Sequence, residues 1–206
     1  ANGPFNGCSA LASVNLPERL TKIGAGTFYG TALTEITIPS TVVEIWNGAF
    51  QSASDLATVN LAEGAQLTKI KGAAFRGTAI TAFAFPDAVT EIAAGAFNET
   101  KLQSLKLPAS LSTLTTAFQN IATLTSVEFA ENNKITAIPA SAFAGTGLTT
   151  ITIPNNVKTI GNRAFNGCSN LAKVIFATND SGKTALTKIE YGAFGGTALT
   201  QFILPE

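Results

Sequence analysis

A pattern of apolar residues recurs along the chain at intervals of 22 residues (Leu11 to Leu33) up to 28 residues (Leu171 to Leu199). In each unit the starting Leu or Ile is followed three and five residues later by apolar residues. The alternation predicts a short β-strand, and a proline placed next ends it because proline cannot donate the next backbone hydrogen bond. A unit this short cannot bury its own apolar side chains, so the repeat predicts a solenoid of stacked coils. Units start at Leu11, Leu33, Leu56, Ile80, Leu102, Leu124, Leu148, Leu171 and Leu199, and six strands end in Pro17, Pro39, Pro86, Pro108, Pro154 and Pro205.

Phenylalanine marks the second half of each unit. A second apolar pair, such as Val42 and Ile45, precedes it, and in seven units the residue directly before the Phe is Ala. Because stacking brings equivalent residues together, we predict a ladder of buried rings, each contributing about 1.5–3 kcal/mol. The ladder consists of Phe5, Phe28, Phe50, Phe75, Phe97, Phe118, Phe143, Phe165 and Phe194. The other five of the 14 Phe lie at strand positions: Phe83, Phe85, Phe129, Phe176 and Phe202.

The pattern L-x-x-I-x-I-P-x-x-V-x-x-I-x-x-x-A-F-x-G/C resembles the BspA-type leucine-rich repeats, the Treponema-like class, over essentially the whole chain. Its most specific elements are the strand-ending proline, the Ala-Phe pair and the Asn-Gly-Cys turn at Cys8 and Cys168. The resemblance implies a leucine-rich-repeat horseshoe or right-handed superhelix of α/β class, mainly β. In that fold a parallel sheet lines the concave side, and short strands or helical turns lie on the convex side. It also implies an exported bacterial or protist protein, some relatives being adhesins for host proteins such as fibronectin, or coaggregation factors.

The repeats predict a single solenoid over residues 1–206, with eight full repeats in 11–198 and partial repeats in 1–10 and 199–206. Four repeats depart from the pattern. Repeats 3 and 6 have Ala62 and Ala130 in place of the proline and two additional residues, and repeat 8 has an insertion, Ala177 to Ala185. Repeat 5 lacks one residue before Phe118. We expect these departures to change the outline of the solenoid and to leave its core intact.

Composition argues against several classes of function. The chain has 13 Lys+Arg, 13 Asp+Glu and no His, so it lacks the net basic charge of a nucleic-acid or anionic-membrane binder and the commonest general base and metal ligand. No apolar stretch is long enough for a transmembrane helix. Ala177 to Thr184 fits the loose form A-x-x-x-x-G-K-T, but no helix is predicted after it to hold phosphate, so we expect a solvated insertion. We therefore predict no enzyme, no catalytic residues, no metal and no cofactor.

Side chains that alternate with the buried strand positions form the candidate binding surface. They are small, mostly polar and without aromatic residues, which leaves open whether the face is simply solvated or binds a ligand. Trp46 occupies a position filled by Gly24 and Lys71 in other repeats, so we expect it to face water, either as an interface anchor or incidentally. The candidate partner-binding residues are Glu35, Thr37, Asn60, Lys106, Glu128, Thr152 and Trp46.

Other polar features have structural explanations. Lys22, Glu44, Lys69 and Glu91 occupy one column of successive short strands, where opposite charges support the register. Cys8 and Cys168 are seven units apart, about 34 Å at 4.8 Å per coil, which is too far for a disulfide. The sequons at Asn98 and Asn179 are glycosylation sites only in a eukaryotic secretory pathway.

The sequence favours a non-enzymatic, extracellular protein-interaction module that binds host or neighbouring-cell surface proteins in the manner of an adhesin. The alternative is a structural spacer in a longer surface protein, with no ligand of its own. The expected location is the cell surface or the medium, with the export signal outside this chain. The expected partner is an extracellular or cell-surface protein such as a matrix protein, and self-association through uncapped ends of the solenoid is a further option.

Overall fold

The computed structural model describes residues 3–204, in which the chain forms 14 short parallel β-strands. Each coil supplies a four-residue strand, a two-residue strand or both. The four-residue strands are β2 (Glu35–Ile38), β4 (Thr58–Leu61), β7 (Ser104–Leu107), β9 (Ser126–Phe129), β11 (Thr150–Ile153) and β13 (Lys173–Phe176). The two-residue strands are β1 (Lys22–Ile23), β3 (Glu44–Ile45), β5 (Lys69–Ile70), β6 (Glu91–Ile92), β8 (Thr113–Leu114), β10 (Ala137–Ile138), β12 (Thr159–Ile160) and β14 (Lys188–Ile189).

Three surfaces follow from this arrangement, and we name them by the segment that forms them. The long-strand face carries the outward side chains of the four-residue strands and the loops that directly follow them. The short-strand face carries the outward side chains of the two-residue strands, and the turn face is formed by the turns that contain the ladder phenylalanines. The partial repeats predicted at the termini are described only from residue 3 and up to residue 204, so the strand end predicted at Pro205 lies outside the described residues.

The two-residue strands pair into a five-stranded sheet in the order β1-β3-β5-β6-β8 and a three-stranded sheet in the order β10-β12-β14. The register places Lys22 opposite Glu44, Glu44 opposite Lys69, and Lys69 opposite Glu91. This confirms the predicted column of alternating charges. The break between the two sheets follows β8 in repeat 5, the repeat that is one residue short before Phe118.

The four-residue strands form three separate parallel pairs rather than one continuous sheet: β2 with β4, β7 with β9, and β11 with β13. In each pair the later strand is followed by Ala, and the amides of Ala62, Ala130 and Ala177 donate to the preceding coil. At the other four junctions between the eight repeats the later repeat has proline, and no pair of four-residue strands forms there within the described residues. Since proline has no N–H, it removes this donor. The prolines therefore interrupt the sheet that the sequence predicted.

The predicted α/β class and helical turns are wrong, because residues 3–204 contain no helix. Residues two positions before or after the ladder phenylalanines have positive φ, as in Ala73 (54°) and Glu99 (62°), which is incompatible with an α-helix. The turn face instead has its own hydrogen-bond ladder. The Phe50 amide donates to Ala74 at 2.7 Å and the Phe75 amide to Ala96 at 2.8 Å. The chain is therefore a mainly-β parallel solenoid closed by turns.

The phenylalanine ladder is confirmed as the core. Adjacent rings from Phe5 to Phe194 stack with centroid separations between 5.1 Å (Phe50 to Phe75) and 5.7 Å (Phe118 to Phe143), and their planes differ by 20° or less. The seven inner rings are fully buried. Offset-stacked aromatic pairs add about 0.5–1.5 kcal/mol each beyond area burial, so the ladder joins every coil to the next.

Both cysteines are free thiols, as predicted, but they differ in environment: Cys8 is exposed and Cys168 is buried. The Cys168 Sγ lies 3.1 Å from the carbonyl oxygen of Phe143, to which it donates, and 3.1 Å from Thr146 Oγ1. Burial raises the pKa of the Cys168 thiol. The thiolate is the reactive form of cysteine, so two factors lower the reactivity of Cys168: its side chain is inaccessible, and its raised pKa favours the protonated thiol.

We expect a thiol reagent such as DTNB to label one cysteine of the folded protein rapidly and the second only after denaturation. The exposed Cys8 supplies the fast reaction, because Cys168 is buried and burial raises the pKa of its thiol. A Cys8→Ser variant is the control and should lose the fast phase. Equal labelling rates for the two thiols of the folded protein would contradict the structure.

Candidate binding surface

Six of the seven candidate partner-binding residues lie on the long-strand face. Glu35 and Thr37 are in β2 and Asn60 is in β4, and all three are exposed while their strand neighbours Ile36 and Ile38 are buried. The other three are exposed on later strands: Lys106, Glu128 and Thr152. The period-two alternation therefore places all six outward on one side of the solenoid.

A trough over repeat 2 brings together three of these residues, Glu35, Thr37 and Asn60. It has a volume of about 420 Å³ and is bounded by repeat 1 on one side and by Ala62 of repeat 3 on the other. Glu18 also lines it. We name this feature the repeat-2 trough.

A larger trough of about 1090 Å³ lies over repeat 7, and we name it the repeat-7 trough. Its floor includes Thr152 and the loop after β11, and Glu128 lines it from the neighbouring strand. One wall is the extended loop of repeat 6 with Glu131, and the other is the start of the insertion in repeat 8 with Asp180. Repeat 7 has no additional residues of its own, so the two longer neighbours rise on either side of it.

Asparagine side chains hold both walls of the repeat-7 trough. In repeat 6 the Asn133 Nδ2 donates to Ala130 at 3.1 Å, and Asn156 of repeat 7 donates to the Asn133 carbonyl at 2.7 Å. In the insertion of repeat 8, Asn179 Oδ1 accepts from the amides of Ser181 and Lys183, both at 3.0 Å. Such side-chain-to-backbone bonds stabilise turns and keep the walls in a defined shape.

The same contacts explain why the A-x-x-x-x-G-K-T segment, Ala177 to Thr184, does not make a phosphate loop. A phosphate loop uses free backbone amides at the start of a helix. Here the amides of Ser181 and Lys183 are occupied by Asn179, and the described residues contain no helix to follow the loop.

Lys106 and Glu128 contact each other across β7 and β9. They are register partners, and Lys106 Nζ lies 3.2 Å from Glu128 Oε1. The two side chains remain 72% and 63% exposed, so the pair contributes little to stability but partly neutralises Glu128.

Trp46 is apart from the other six candidates, on the edge of the short-strand face. Its side chain is 39% exposed, as expected from the sequence, and Lys22 Nζ lies 4.7 Å from the centroid of its ring. Trp46 Nε1 donates to Glu44 Oε2 at 2.9 Å. This hydrogen bond, together with the Lys69 ammonium, lowers the pKa of Glu44. Trp46 is thus held in a cation–π and hydrogen-bond cluster of its own.

The charged groups of the short-strand face largely pair with one another. Lys69 lies 3.5 Å from Glu44, and Lys71 contacts both carboxylate oxygens of Glu91 at 2.8 and 2.9 Å. On the turn face, Arg76 pairs with Glu99 at 2.8 Å. Several charges of these two faces are therefore already neutralised by a neighbouring side chain.

The two sequons differ in accessibility. Asn98 is only 9% exposed, and its Oδ1 accepts from the Gln119 amide at 2.8 Å. Asn179 is exposed, but its side chain holds the turn of the insertion. Both asparagine side chains therefore stabilise the fold by accepting hydrogen bonds from backbone amides.

Sequence reasoning missed the acidic residues of the trough walls, Glu18, Glu131 and Asp180. The additional residues of repeats 6 and 8 are evident from the sequence. Their position on either side of repeat 7 follows only from the folded chain. Within residues 3–204 no group of three or more Cys, Asp or Glu side chains could hold a metal ion, and no helix is long and apolar enough to cross a membrane.

The comparisons with known proteins agree with this geometry. A family model described as the BspA type leucine rich repeat region matches residues 1–102 and 90–206 with six copies. The chain is similar to a leucine rich cell surface protein of Faecalibacterium prausnitzii, with 31% identity, a TM-score of 0.57, and coverage of 92% of this chain and 56% of that one. The chain therefore belongs to the BspA-type leucine-rich repeat family, and it spans 56% of the length of that structure.

Two more distant structures share the fold alone. The leucine rich repeat protein of T. pallidum is 21% identical with a TM-score of 0.58, and the match covers 91% of this chain and 77% of that one. A leucine-rich repeat protein of Eubacterium ventriosum is 18% identical with a TM-score of 0.50, covering 89% and 82%. No curated protein matches the chain.

Proposed function

We propose that the chain is a non-enzymatic protein-interaction module of a bacterial surface or secreted protein and binds its partner, in the manner of an adhesin, through the long-strand face. The observation that carries this proposal is the pair of troughs on that face, which contain five of the six candidate residues there. The similarity to a leucine rich cell surface protein supports the extracellular location.

The distribution of unpaired polar groups also favours the long-strand face. Several charges of the short-strand face are already joined in ion pairs, whereas Glu35, Thr37, Asn60 and Thr152 are exposed next to concave surface. Concave sites with a few fixed polar groups are where ligands bind most often. The proposed partner is an extracellular or cell-surface protein.

A structural spacer is the second candidate function, and the continuous stack of nine phenylalanines supports it. The stack links every coil from Phe5 to Phe194, so each coil is packed against its neighbours along the whole solenoid. A rod of this kind holds another domain away from a surface without a ligand of its own. Self-association through the ends of the solenoid stays a prediction.

Binding of the purified chain to a panel of extracellular matrix proteins, fibronectin included, and glycans tests the proposal. We expect saturable binding at micromolar concentration or below to at least one protein. The variant Thr37→Arg/Thr152→Arg should weaken it at least about tenfold, because an exposed long side chain in each trough obstructs contact there. Thermal unfolding should stay unchanged, because both positions are exposed.

The matched control is Ser54→Arg/Ser169→Arg, which adds the same side chains at exposed positions after the turn-face phenylalanines. Retained binding by the control with loss in the trough variant supports the long-strand face. Equal loss in both variants would place the contact elsewhere, and silence across the whole panel would favour the spacer.

A further inference from the structure

The two troughs of the long-strand face have the same electrostatic character. Glu18 and Glu35 line the repeat-2 trough, and Glu128, Glu131 and Asp180 line the repeat-7 trough. Of the described residues that line either trough, none is Lys or Arg. The chain as a whole has equal numbers of acidic and basic side chains, so this separation of charge is local to the troughs.

Most of these carboxylates are available to a partner. Glu128 is partly neutralised by Lys106 at 3.2 Å, but Glu18, Glu35, Glu131 and Asp180 are exposed and make no ion pair among the described residues. They do not converge closely enough to share a metal ion. Clefts lined by one sign of charge concentrate the electrostatic potential, so acidic clefts favour positively charged ligands. Arg and Lys side chains are long enough to place a cation inside such a cleft.

The spacing of the troughs fits an extended polypeptide. Repeats 2 and 7 are five coils apart, which at about 4.8 Å per coil is about 24 Å. An extended chain covers about 3.4 Å per residue, so about seven residues span that distance. Between the troughs, repeat 4 has Ala82 and Ala84 at its two outward strand positions, where the small side chains leave room for a backbone. Among the described residues that line the troughs, the one aromatic side chain is Phe129, which is partly buried and packs against the core. Neither trough therefore has a Trp or Tyr platform, which disfavours sugar rings.

We propose that the repeat-2 and repeat-7 troughs together bind one extended, Arg- or Lys-rich segment of a partner protein, with one cationic cluster in each trough. This inference rests on the proposed function, since it specifies the chemistry of the partner for the same face. The asparagine-held walls of the repeat-7 trough keep its shape before binding, which reduces the entropy cost of association.

Fluorescence anisotropy with labelled synthetic peptides tests the inference. The probe has two Arg-Arg pairs separated by about seven Gly/Ser residues, and the comparison peptide has Ser in place of every Arg. We expect the probe alone to bind, and its affinity to fall by at least about tenfold between 0.05 and 0.5 M NaCl because salt screens exposed charges.

Paired variants of the chain assign the contacts. Glu18→Gln/Glu35→Gln and Glu131→Gln/Asp180→Asn should each weaken probe binding about fivefold, since each removes two exposed ion pairs. The control Asp55→Asn/Glu99→Gln removes two exposed carboxylates that follow turn-face phenylalanines, away from the long-strand face, and should bind like the wild type. A probe with its Arg pairs adjacent can reach only one trough at a time and should bind more weakly than the spaced probe.

Two results would overturn the inference: equal affinity for the Ser peptide, or trough variants that bind the probe no more weakly than the control. A panel glycan that binds the troughs while the probe does not would overturn it as well. Failure of the proposed function is read separately, from the matrix-protein panel and the Thr37→Arg/Thr152→Arg variant. If a panel protein binds and the Thr37→Arg/Thr152→Arg variant weakens that binding, the proposed function is supported even when the basic peptide does not bind.

Discussion

Phe97→Ala should lower the free energy of unfolding by about 4 kcal/mol. Phe97 is completely buried, and its ring lies 5.2 Å from Phe75 and 5.5 Å from Phe118 in the ladder. It also meets Phe83 edge-on at 5.1 Å. Truncation therefore leaves a cavity where several rings meet, and the surrounding coils cannot collapse into it without breaking their backbone ladders. Urea denaturation followed by circular dichroism measures the change.

Phe5→Ala is the matched control for this substitution. Phe5 is the first ring of the ladder and is 38% exposed, with one stacked neighbour at 5.5 Å. We expect it to cost under about 1.5 kcal/mol, because less apolar area is buried there. Equal effects of the two substitutions would contradict the ladder as the core of the protein.

Gly147→Ala should destabilise the protein by about 2–3 kcal/mol. Other repeats have alanine at the equivalent position, for example Ala32 and Ala79, so the repeat pattern alone suggests that alanine fits and even stabilises. In the structure a Cβ at Gly147 would overlap the carbonyl oxygen of Ala122 and lie 3.1 Å from its carbonyl carbon. Backbone atoms cannot rotate away, so coils 5 and 6 would have to separate.

Gly24→Ala is the control for added volume without a backbone clash. The nearest atom to a Cβ there is the Thr27 hydroxyl oxygen at 3.3 Å, which belongs to a side chain that can adjust. Chemical denaturation of both variants should give a change below about 0.5 kcal/mol for Gly24→Ala. A neutral or stabilising Gly147→Ala would contradict the close approach of coils 5 and 6.

The sequence predicts the core well because the core depends on side-chain pattern. Apolar spacing and the recurring Phe are sufficient to assign the ladder from Phe5 to Phe194, and alternation is sufficient to place Glu35 and Thr152 on an outer surface. The exposed position of Trp46 follows equally from its polar and small equivalents in other repeats.

Backbone conformation is harder to predict from this sequence. The resemblance to leucine-rich repeats suggested helical turns, yet the turn face has positive φ at residues that favour negative values, such as Ala73, Ser141 and Arg163. Stacking on neighbouring coils imposes these values, and that constraint is invisible in a single repeat. The interrupted long-strand sheet has a similar origin, since each proline ends its own strand and also removes the amide that would pair with the previous coil.

The troughs show where pattern reasoning ends. The additional residues of repeats 6 and 8 are evident from spacing, but their convergence around repeat 7 depends on turns held by Asn133 and Asn179. Predicting the acidic walls requires the path of both loops. The positions of the six candidate residues relative to the troughs can therefore be determined only from the structure.

The most direct test of the account is hydrogen–deuterium exchange of the chain with and without a bound panel protein. Binding at the long-strand face predicts added protection of the amides in β2, β4, β9 and β11 and in the loops that follow them. The segments around Phe75 and Phe143 on the turn face should exchange as in the free chain. Protection confined to the turn face or the short-strand face would contradict the long-strand face as the binding surface.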